Sequence, residues 1–304
     1  MGLKFMKMVK NLRVMCILLL LLGFQPVKAG EAGTATTNSP WARVMMIGAS
    51  GSAGFVLMEP FGGTNTLQCR LSYYLDAALK PAHPPVHNFA QSLLFMNPEV
   101  IAPPEVTHAV AEKPTLIIGV DFLFWFCYGT GRTDAERAQR LEAGLKLLEP
   151  VQCPLVIGDI PDASYATNTG IIDSSMVPSG EARAAANRRL REWATARSNV
   201  VVVPLADFMA TVMADKKLVV HGTTIPAGKT RALLQGDQLH PNPHGAAFLA
   251  LGILDALTAK LPEFSAKDIR WNPSEVYKLG YDSAKPPVRP GPKTPATIAP
   301  ATVK

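Results

Sequence analysis

The segment VMMIGASGSAG, residues 44–54, limits the possible folds of this chain more than any other stretch. Its first five residues are apolar or glycine, which is typical of a strand buried on both faces of a parallel sheet. The small residues that follow predict a tight turn at the carboxyl edge of that sheet, where open α/β folds bind their ligands. Such a turn can hold a phosphate on backbone N–H groups or present a serine as a nucleophile.

Strand and helix patterns alternate along the rest of the chain. Short apolar runs predict further strands at residues 86–88, 115–120, 154–158 and 200–203. Apolar residues at helical spacing, together with cap residues, predict helices at 67–79, 90–96, 133–148, 179–196, 206–215 and 246–261. Residues 219–230 form a polar segment that suggests a hairpin. This alternation favours one three-layer α/β/α domain with a mostly parallel sheet, spanning residues 40–267.

Both ends of the chain differ in composition from this domain. Residues 1–29 combine a basic start, an apolar run at 14–24 and small residues at Val27 and Ala29, which indicates a cleaved secretory signal peptide. An uncleaved anchor is the alternative, although the run is short for a transmembrane helix. Residues 30–39 are a predicted linker, and 268–304 a Pro-rich, extended and disordered tail. We therefore expect a secreted or periplasmic protein without stable membrane insertion after cleavage.

Charge and cysteine content exclude several classes of protein. Five of the 30 basic residues lie in the first 29 positions, where there is no acidic residue, which leaves 25 basic against 24 acidic residues. No basic surface for nucleic acid is therefore indicated. Only three cysteines follow residue 29, and a small, odd number does not indicate a disulfide framework. We therefore expect buried thiols, with one disulfide pair possible. No metal-binding motif is present.

The glycines of the first turn offer one functional hypothesis. Gly48, Gly51 and Gly54 have a spacing found in some dinucleotide-binding proteins, where a pyrophosphate lies at a helix N-terminus. The segment that follows contains Pro60 and two glycines, which interrupts the expected helix. No acidic residue for a ribose ends the second predicted strand. This hypothesis is therefore the weaker one.

A serine nucleophile is the second hypothesis. A serine hydroxyl group attacks only when a base removes its proton, and the base works best when a carboxylate orients it. The sequence DQLHP near the end of the domain supplies both groups, because Asp237 and His240 can lie on one turn of the chain. Ser50 is then the nucleophile. Ser52 is a rival nucleophile and His244 a rival base.

These residues resemble the motifs of the SGNH (GDSL-type) hydrolase family. Gly48-Ala49-Ser50 matches the Gly-Asp-Ser block of that family, and Asp237-x-x-His240-Pro241 matches its last block, with Gly245 opening the final helix. The resemblance implies a flavodoxin-like sandwich with a five-stranded sheet. It also implies an ester hydrolase that uses Ser50, His240 and Asp237 without metal or cofactor.

The family's oxyanion hole uses the N–H of the serine, a glycine N–H after the second strand and an asparagine side chain after the third. The resemblance therefore implies donors at Ser50, at Ala90 or its neighbours, and at position 121. That position holds Asp121, and a carboxyl group donates to an oxyanion only in its protonated form. The aromatic residues after it suggest core packing or the wall of an acyl pocket.

The expected function is hydrolysis of an ester in a small molecule or a glycan, with an acetyl or short acyl group on a carbohydrate as the first guess. Asp159 and Asp162, which follow the fourth predicted strand, are candidates for substrate contact. A non-catalytic carbohydrate-binding protein on the same fold is the alternative, because Ala49 and Asp121 depart from the family motifs.

Overall fold

Five short strands form one sheet in which all neighbouring strands run parallel. The computed structural model describes residues 39–129 and 133–285. The strands are β1 (Val44–Met46), β2 (His87–Asn88), β3 (Leu116–Gly119), β4 (Leu155–Gly158) and β5 (Val200–Val203). Their order, β2-β1-β3-β4-β5, is that of flavodoxin-like sheets, so the predicted fold class is confirmed. The predicted signal peptide, residues 1–29, lies outside the described residues, as do most of the linker and the tail from residue 286.

Helices cover both faces of this sheet. They are α1 (Ser50–Ala53), α2 (Thr64–Cys69), α3 (Leu71–Ala78), α4 (Pro98–Ala111), α5 (Phe124–Cys127), α6 (Asp134–Leu147), α7 (Gly180–Thr195), α8 (Leu205–Met213), α9 (Pro243–Lys260) and α10 (Pro273–Ser283). Side chains of β1 alternate between two hydrophobic clusters, because successive residues of a strand point to opposite faces. Val44 and Met46 pack with residues of α3, α8, α9 and α10. Met45 and Ile47 pack with residues of α4, α6 and α7.

Cap residues define several of the helix starts. The hydroxyl group of Thr133 accepts from the N–H of Glu136, and the Glu136 carboxylate accepts from the N–H of Thr133, which completes the predicted capping box. Asn242 is the N-cap of α9, because its side chain accepts a hydrogen bond from the N–H of Gly245. Pro243 occupies the first helical position. The start of α9 directly follows the segment that carries His240.

Helix α4 was not predicted, because Pro103 and Pro104 lie inside it. Proline removes one helical hydrogen bond and disfavours the helix interior, but burial of one face of α4 against the sheet offsets that cost. Residues 90–96 were predicted as a helix and are mostly loop, with a 3₁₀ turn at Leu94–Met96. The helix predicted at 67–79 is divided into α2 and α3 by the extended backbone of Arg70.

The domain end predicted at residue 267 is wrong. Residues 273–283 form α10, whose Val276 and Gly280 are buried. A side chain at Gly280 would collide with the ring of Tyr74 in α3, so the two helices approach closely. Trp41 also donates a hydrogen bond to the carboxylate of Asp268. Sequence reasoning missed α10 because it has few apolar residues, and their burial depends on packing against another helix.

A hairpin was expected within residues 219–230, and the structure has one that is shorter. Residues 218–225 form the expected hairpin, with β6 (Leu218–Val220) antiparallel to β7 (Thr223–Ile225). Cys69, Cys127 and Cys153 are all free thiols in the described ranges. Within those ranges, none of the helices combines the length and the apolar character that crossing a bilayer requires.

Candidate active site

Strand β1 delivers Ser50 to the carboxyl edge of the sheet. After β1 the backbone passes through Gly48, whose φ of +144° few other residues adopt, and Ser50 becomes the first residue of α1. The helix ends after one turn at Gly54, which has left-handed geometry. Ser50 therefore lies at the end of a buried strand on a short and sharply bounded turn.

Ser50, His240 and Asp237 form one continuous chain of hydrogen bonds. The Nε2 atom of His240 lies 2.8 Å from the Oγ atom of Ser50, and its Nδ1 atom lies 2.7 Å from Oδ2 of Asp237. All three residues are buried, with exposed fractions of 8% for Ser50, 5% for His240 and 6% for Asp237. The structure thus brings together the three residues that the sequence motifs selected, although 190 positions separate Ser50 from His240.

The second oxygen of Asp237 holds the backbone of the same loop. Its Oδ1 atom accepts from the N–H groups of Leu239 and His240, each over 3.0 Å. Burial alone raises the pKa of Asp237, but the hydrogen bond and charge of His240 and these two N–H groups outweigh burial, so the net pKa lies below its ordinary value. Asp237 is therefore a carboxylate over the working pH range, as an orienting acid must be.

Gln235 connects the His240 loop to the segment that follows α1. Its side-chain amide donates to the carbonyl oxygens of Phe55 and Pro241, over 2.8 and 3.0 Å, and its backbone N–H donates to the carbonyl of His240. The ring of Phe55 packs against the imidazole of His240, with centroids 4.7 Å apart. These contacts restrict the position of the imidazole relative to Ser50.

Asp121 holds the turn that carries Ser50. Its Oδ1 atom accepts from the N–H of Ala49 and from the hydroxyl of Ser52, and its Oδ2 atom accepts from the N–H of Ser52. Both carboxylate oxygens are therefore occupied as acceptors. Asp121 was expected to donate to an oxyanion, but in the structure its side chain accepts from the turn that carries Ser50.

This carboxylate also accounts for the glycine spacing of the turn. A Cβ atom at Gly48 would collide with Oδ1 of Asp121, and one at Gly51 would lie 3.0 Å from Oδ2. Asp121 occupies two N–H groups of this turn and adds negative charge where a pyrophosphate would have to bind. The geometry therefore argues against the dinucleotide hypothesis.

The structure also corrects the second predicted oxyanion donor. The N–H of Ala90 donates to the side-chain oxygen of Asn88 over 2.9 Å, so it is not directed at Ser50. Asn88 in turn donates to the carbonyl of Ser52 at the end of α1. Among the hydrogen bonds of the described ranges, the N–H groups of Ser50 and Gly51 donate to no acceptor, and both residues line the cavity beside His240. These two N–H groups are candidate donors to an oxyanion.

Glu105 on α4 is a buried acid that sequence reasoning missed. It is 3% exposed, and its Oε2 atom accepts from the N–H of Gly48 over 2.8 Å. Burial raises its pKa to about 9, against the lowering effect of the Gly48 N–H, and the charge of Asp121 raises it further. A lone glutamate in an otherwise apolar segment was the available signal, but the adjacent prolines concealed the helix. Glu105 and Asp121 thus hold consecutive peptide groups just before Ser50.

The rival nucleophile Ser52 and the rival base His244 do not contact each other and have other partners. Ser52 is fully buried and bonded to Asp121, whereas His244 is exposed and stacks on Tyr277 with centroids 3.8 Å apart. Asp159 accepts from the N–H of Ala206 at the start of α8 and pairs with Arg191. These contacts indicate a structural role for Asp159 rather than the predicted substrate contact.

Asp162 is likewise engaged, since it accepts from the N–H of Ser164 and pairs with Arg183 over 3.1 Å. In the parts of the chain that the structure describes, no three His, Cys, Asp or Glu residues lie close enough together to hold a metal ion. The groups that the structure brings together at the carboxyl edge of the sheet are a serine, an imidazole and a carboxylate.

Comparison with known proteins gives matches only among solved structures. No family model and no curated protein matches the sequence. A lipase/acylhydrolase from Enterococcus faecalis is 16% identical, with a TM-score of 0.43 over 76% of this chain and 98% of that chain. A candidate acylhydrolase from Bacteroides fragilis is 14% identical, with a TM-score of 0.43 over 75% of this chain and 91% of that chain.

Proposed function

We propose that this protein is a serine hydrolase that cleaves an ester through an acyl-enzyme on Ser50. The observation that carries the proposal is the hydrogen-bonded series of Ser50, His240 and Asp237, with distances of 2.8 and 2.7 Å. An imidazole within 3 Å of a serine hydroxyl and a carboxylate on its other nitrogen is the arrangement that activates serine. A titratable group with a perturbed pKa and a specific partner in a cleft, such as Asp237 beside His240, is a candidate for a functional site.

In the first half of the reaction, His240 Nε2 removes the proton of the Ser50 hydroxyl as Oγ attacks the ester carbonyl. The resulting imidazolium is stabilised by the carboxylate of Asp237 and then protonates the departing alcohol oxygen. In the second half, His240 removes a proton from a water molecule that attacks the acyl-enzyme. Collapse of the second tetrahedral intermediate releases the acid and returns the proton to Ser50.

The negative oxygen of each tetrahedral intermediate needs donors that are already in place. The N–H groups of Ser50 and Gly51 supply them in this proposal, because neither group donates to another acceptor in the described ranges. Asp121 contributes indirectly, since it binds the N–H groups on either side, at Ala49 and Ser52. Removal of a single donor from such a site typically costs about 10²–10³ in rate.

Export belongs to the proposal as well. The basic and apolar segment at residues 1–29 supports cleavage by a signal peptidase and a secreted or periplasmic location. An N-terminal sequence of the mature protein that begins at residue 30 is the expected result. A mature chain that retains residues 1–29 would contradict cleavage and favour an anchored form.

Hydrolysis of p-nitrophenyl acetate tests the activity. We expect the purified protein to release p-nitrophenol and Ser50→Ala to lose at least about 10³-fold in kcat/KM. A fluorophosphonate should label the wild-type protein on the peptide that contains Ser50 and should not label Ser50→Ala. A folded wild-type protein that neither turns over p-nitrophenyl esters nor reacts with the fluorophosphonate would refute the hydrolase and leave the binding protein as the alternative.

A further inference from the structure

A cavity of about 80 Å³ opens directly beside the Ser50 hydroxyl group. On the same scale, one water molecule needs about 10–15 Å³, so the cavity has room for a group of several atoms. Ser50 and His240 are both among the residues that line it. The group that fills the cavity is therefore adjacent to the atom that attacks the ester in the proposed function.

The rest of the wall is apolar and comes from several elements. Helix α8 contributes Leu205, Phe208 and Met209, and the aromatic segment after β3 contributes Phe124 and Trp125. Leu205 and Phe208 are half-buried, whereas Met209 is buried. Apolar side chains with access to a reacting serine are suited to a hydrocarbon chain, because each methylene group that leaves water contributes favourable binding energy.

The side chains of Ser50, His240 and Asp121 in the wall are already paired. Ser50 bonds to His240, and both oxygens of Asp121 bind donors of the α1 turn. No lysine or arginine is found among the described residues that line the cavity. A sugar in this cavity would leave its hydroxyl groups without partners, and a buried unpaired hydroxyl group is costly. The cavity therefore favours the acyl part of an ester over a carbohydrate part.

The loop that follows α1 is also apolar. Phe55 packs against His240, and the next residues include exposed Leu57, Met58 and Phe61, of which Met58 is 86% exposed. A soluble protein rarely places such side chains in water close to one another without a function. Apolar character thus continues from the cavity to the surface loop next to His240.

We propose that the cavity binds the acyl chain of the substrate, so that the enzyme prefers medium-chain acyl esters to acetyl esters. The inference rests on the proposed function, because it assumes that Ser50 is acylated. It replaces the acetyl group that was the first guess from the sequence. A chain of about eight carbons would place its carbonyl at Ser50 and its methylene groups against α8 and the aromatic segment.

A series of p-nitrophenyl esters with 2, 4, 8 and 12 acyl carbons tests this preference. Each methylene group that enters the cavity should raise kcat/KM by about fourfold until the cavity is full. We expect the C8 ester to exceed the C2 ester by at least about tenfold. Equal values for C2 and C8, or a preference for C2, would overturn the inference and leave the proposed hydrolase intact. No turnover of any ester would instead contradict the proposed function itself.

Two variants test the location of the chain. Leu205→Trp narrows the cavity and should lower the activity on the C8 ester at least about tenfold more than the activity on the C2 ester. Phe208→Ala widens the cavity and should shift the optimum towards C12. The matched control is Leu279→Trp, on exposed Leu279 of α10, which should leave the whole profile unchanged. If Leu205→Trp, with its fold verified by circular dichroism, changes C2 and C8 activity equally, the chain binds elsewhere.

Discussion

The hydroxyl group of Ser52 donates a hydrogen bond to the carboxylate of Asp121 over 2.6 Å, and this contact separates the two serines of the turn. Ser50 lies within hydrogen-bond distance of His240, whereas Ser52 is fully buried and directed at an acid. The residue spacing alone left both serines as candidates. Their different partners support Ser50 as the nucleophile and give Ser52 a role in holding α1.

The Ser52→Ala variant should therefore keep most of the activity. We expect a loss in kcat/KM of no more than about tenfold, because the backbone N–H of residue 52 still donates to Asp121. The free energy of unfolding should fall by about 1–2 kcal/mol, since one oxygen of a partly buried carboxylate loses a donor. Steady-state kinetics and urea denaturation measure these changes. A loss as large as that of Ser50→Ala would show that the nucleophile has been assigned incorrectly.

Substitution of Asp121 should affect the turn more strongly. In Asp121→Ala, the N–H groups of Ala49 and Ser52 lose their acceptor, so Ser50 is held less firmly. We expect kcat to fall about 10²-fold with a smaller change in KM, because positioning acts mainly on the transition state. Asp121→Asn retains one acceptor and should recover part of this loss. Equal activity of both variants and the wild type would exclude a positioning role.

Asp237→Asn tests the orienting acid. Loss of the carboxylate should lower kcat by about 10⁴-fold without a large change in the fold, since the amide presents the imidazole with the wrong hydrogen-bond partner. Kinetics with the best p-nitrophenyl ester measure this change, and circular dichroism reports the fold. Asp162→Asn, at an acid outside the hydrogen-bond series, is the matched control and should lose far less. A loss below about tenfold in Asp237→Asn would contradict the proposed role.

Asp237 should also make the free energy of unfolding depend on pH in the acidic range. The folded-state pKa of Asp237 lies below its ordinary value of 3.8, so the carboxylate stabilises the folded state above that pH. The contribution is lost as the pH falls below 3.8 and through the folded-state pKa. The difference in free energy of unfolding between wild type and Asp237→Asn should therefore shrink as the pH is lowered from 5 to 2. A difference that stays constant over this range would disagree with the lowered pKa.

Glu105 should make the free energy of unfolding depend on pH in the opposite direction to Asp237. Its folded-state pKa is about 9, above the ordinary value of 4.5, so the folded state holds a proton that the unfolded state releases between these values. The wild type should therefore lose stability relative to Glu105→Gln as the pH rises from 4.5 to 9, with a slope of up to about 1.4 kcal/mol per pH unit.

Thermal unfolding at pH 4.5, 6, 7.5 and 9 measures this difference. The two proteins should be similar at pH 4.5, and Glu105→Gln should be the more stable one at pH 7.5. Glu99→Gln is the matched control, because Glu99 is exposed on the same helix. A wild-type protein that gains stability relative to Glu105→Gln at high pH would show that Glu105 is ionised in the folded state.

Sequence patterns predicted the parts of the fold that depend on short segments. Buried apolar runs identified β3, β4 and β5, and cap residues located the start of α6 at Thr133. Helix α4 was missed because the local preference of Pro103 and Pro104 opposes the helix that packing stabilises. Helix α10 was missed because its burial depends on Tyr74, about 200 positions earlier, which no local pattern contains.

For the site, the sequence selected Ser50, Asp237 and His240 as candidates through their resemblance to the SGNH motifs, because an Asp and a His three positions apart in a loop are by residue type alone an ordinary surface pair. Only the tertiary structure decided which groups surround them. Hydrogen bonds over 2.6–3.0 Å depend on how β1, β3 and α4 pack, and this packing made Asp121 an acceptor, paired Ala90 with Asn88 and placed Glu105 beside Gly48. Residue type does not specify such contacts, because the packed fold decides which donor and which acceptor come within hydrogen-bond distance of each other.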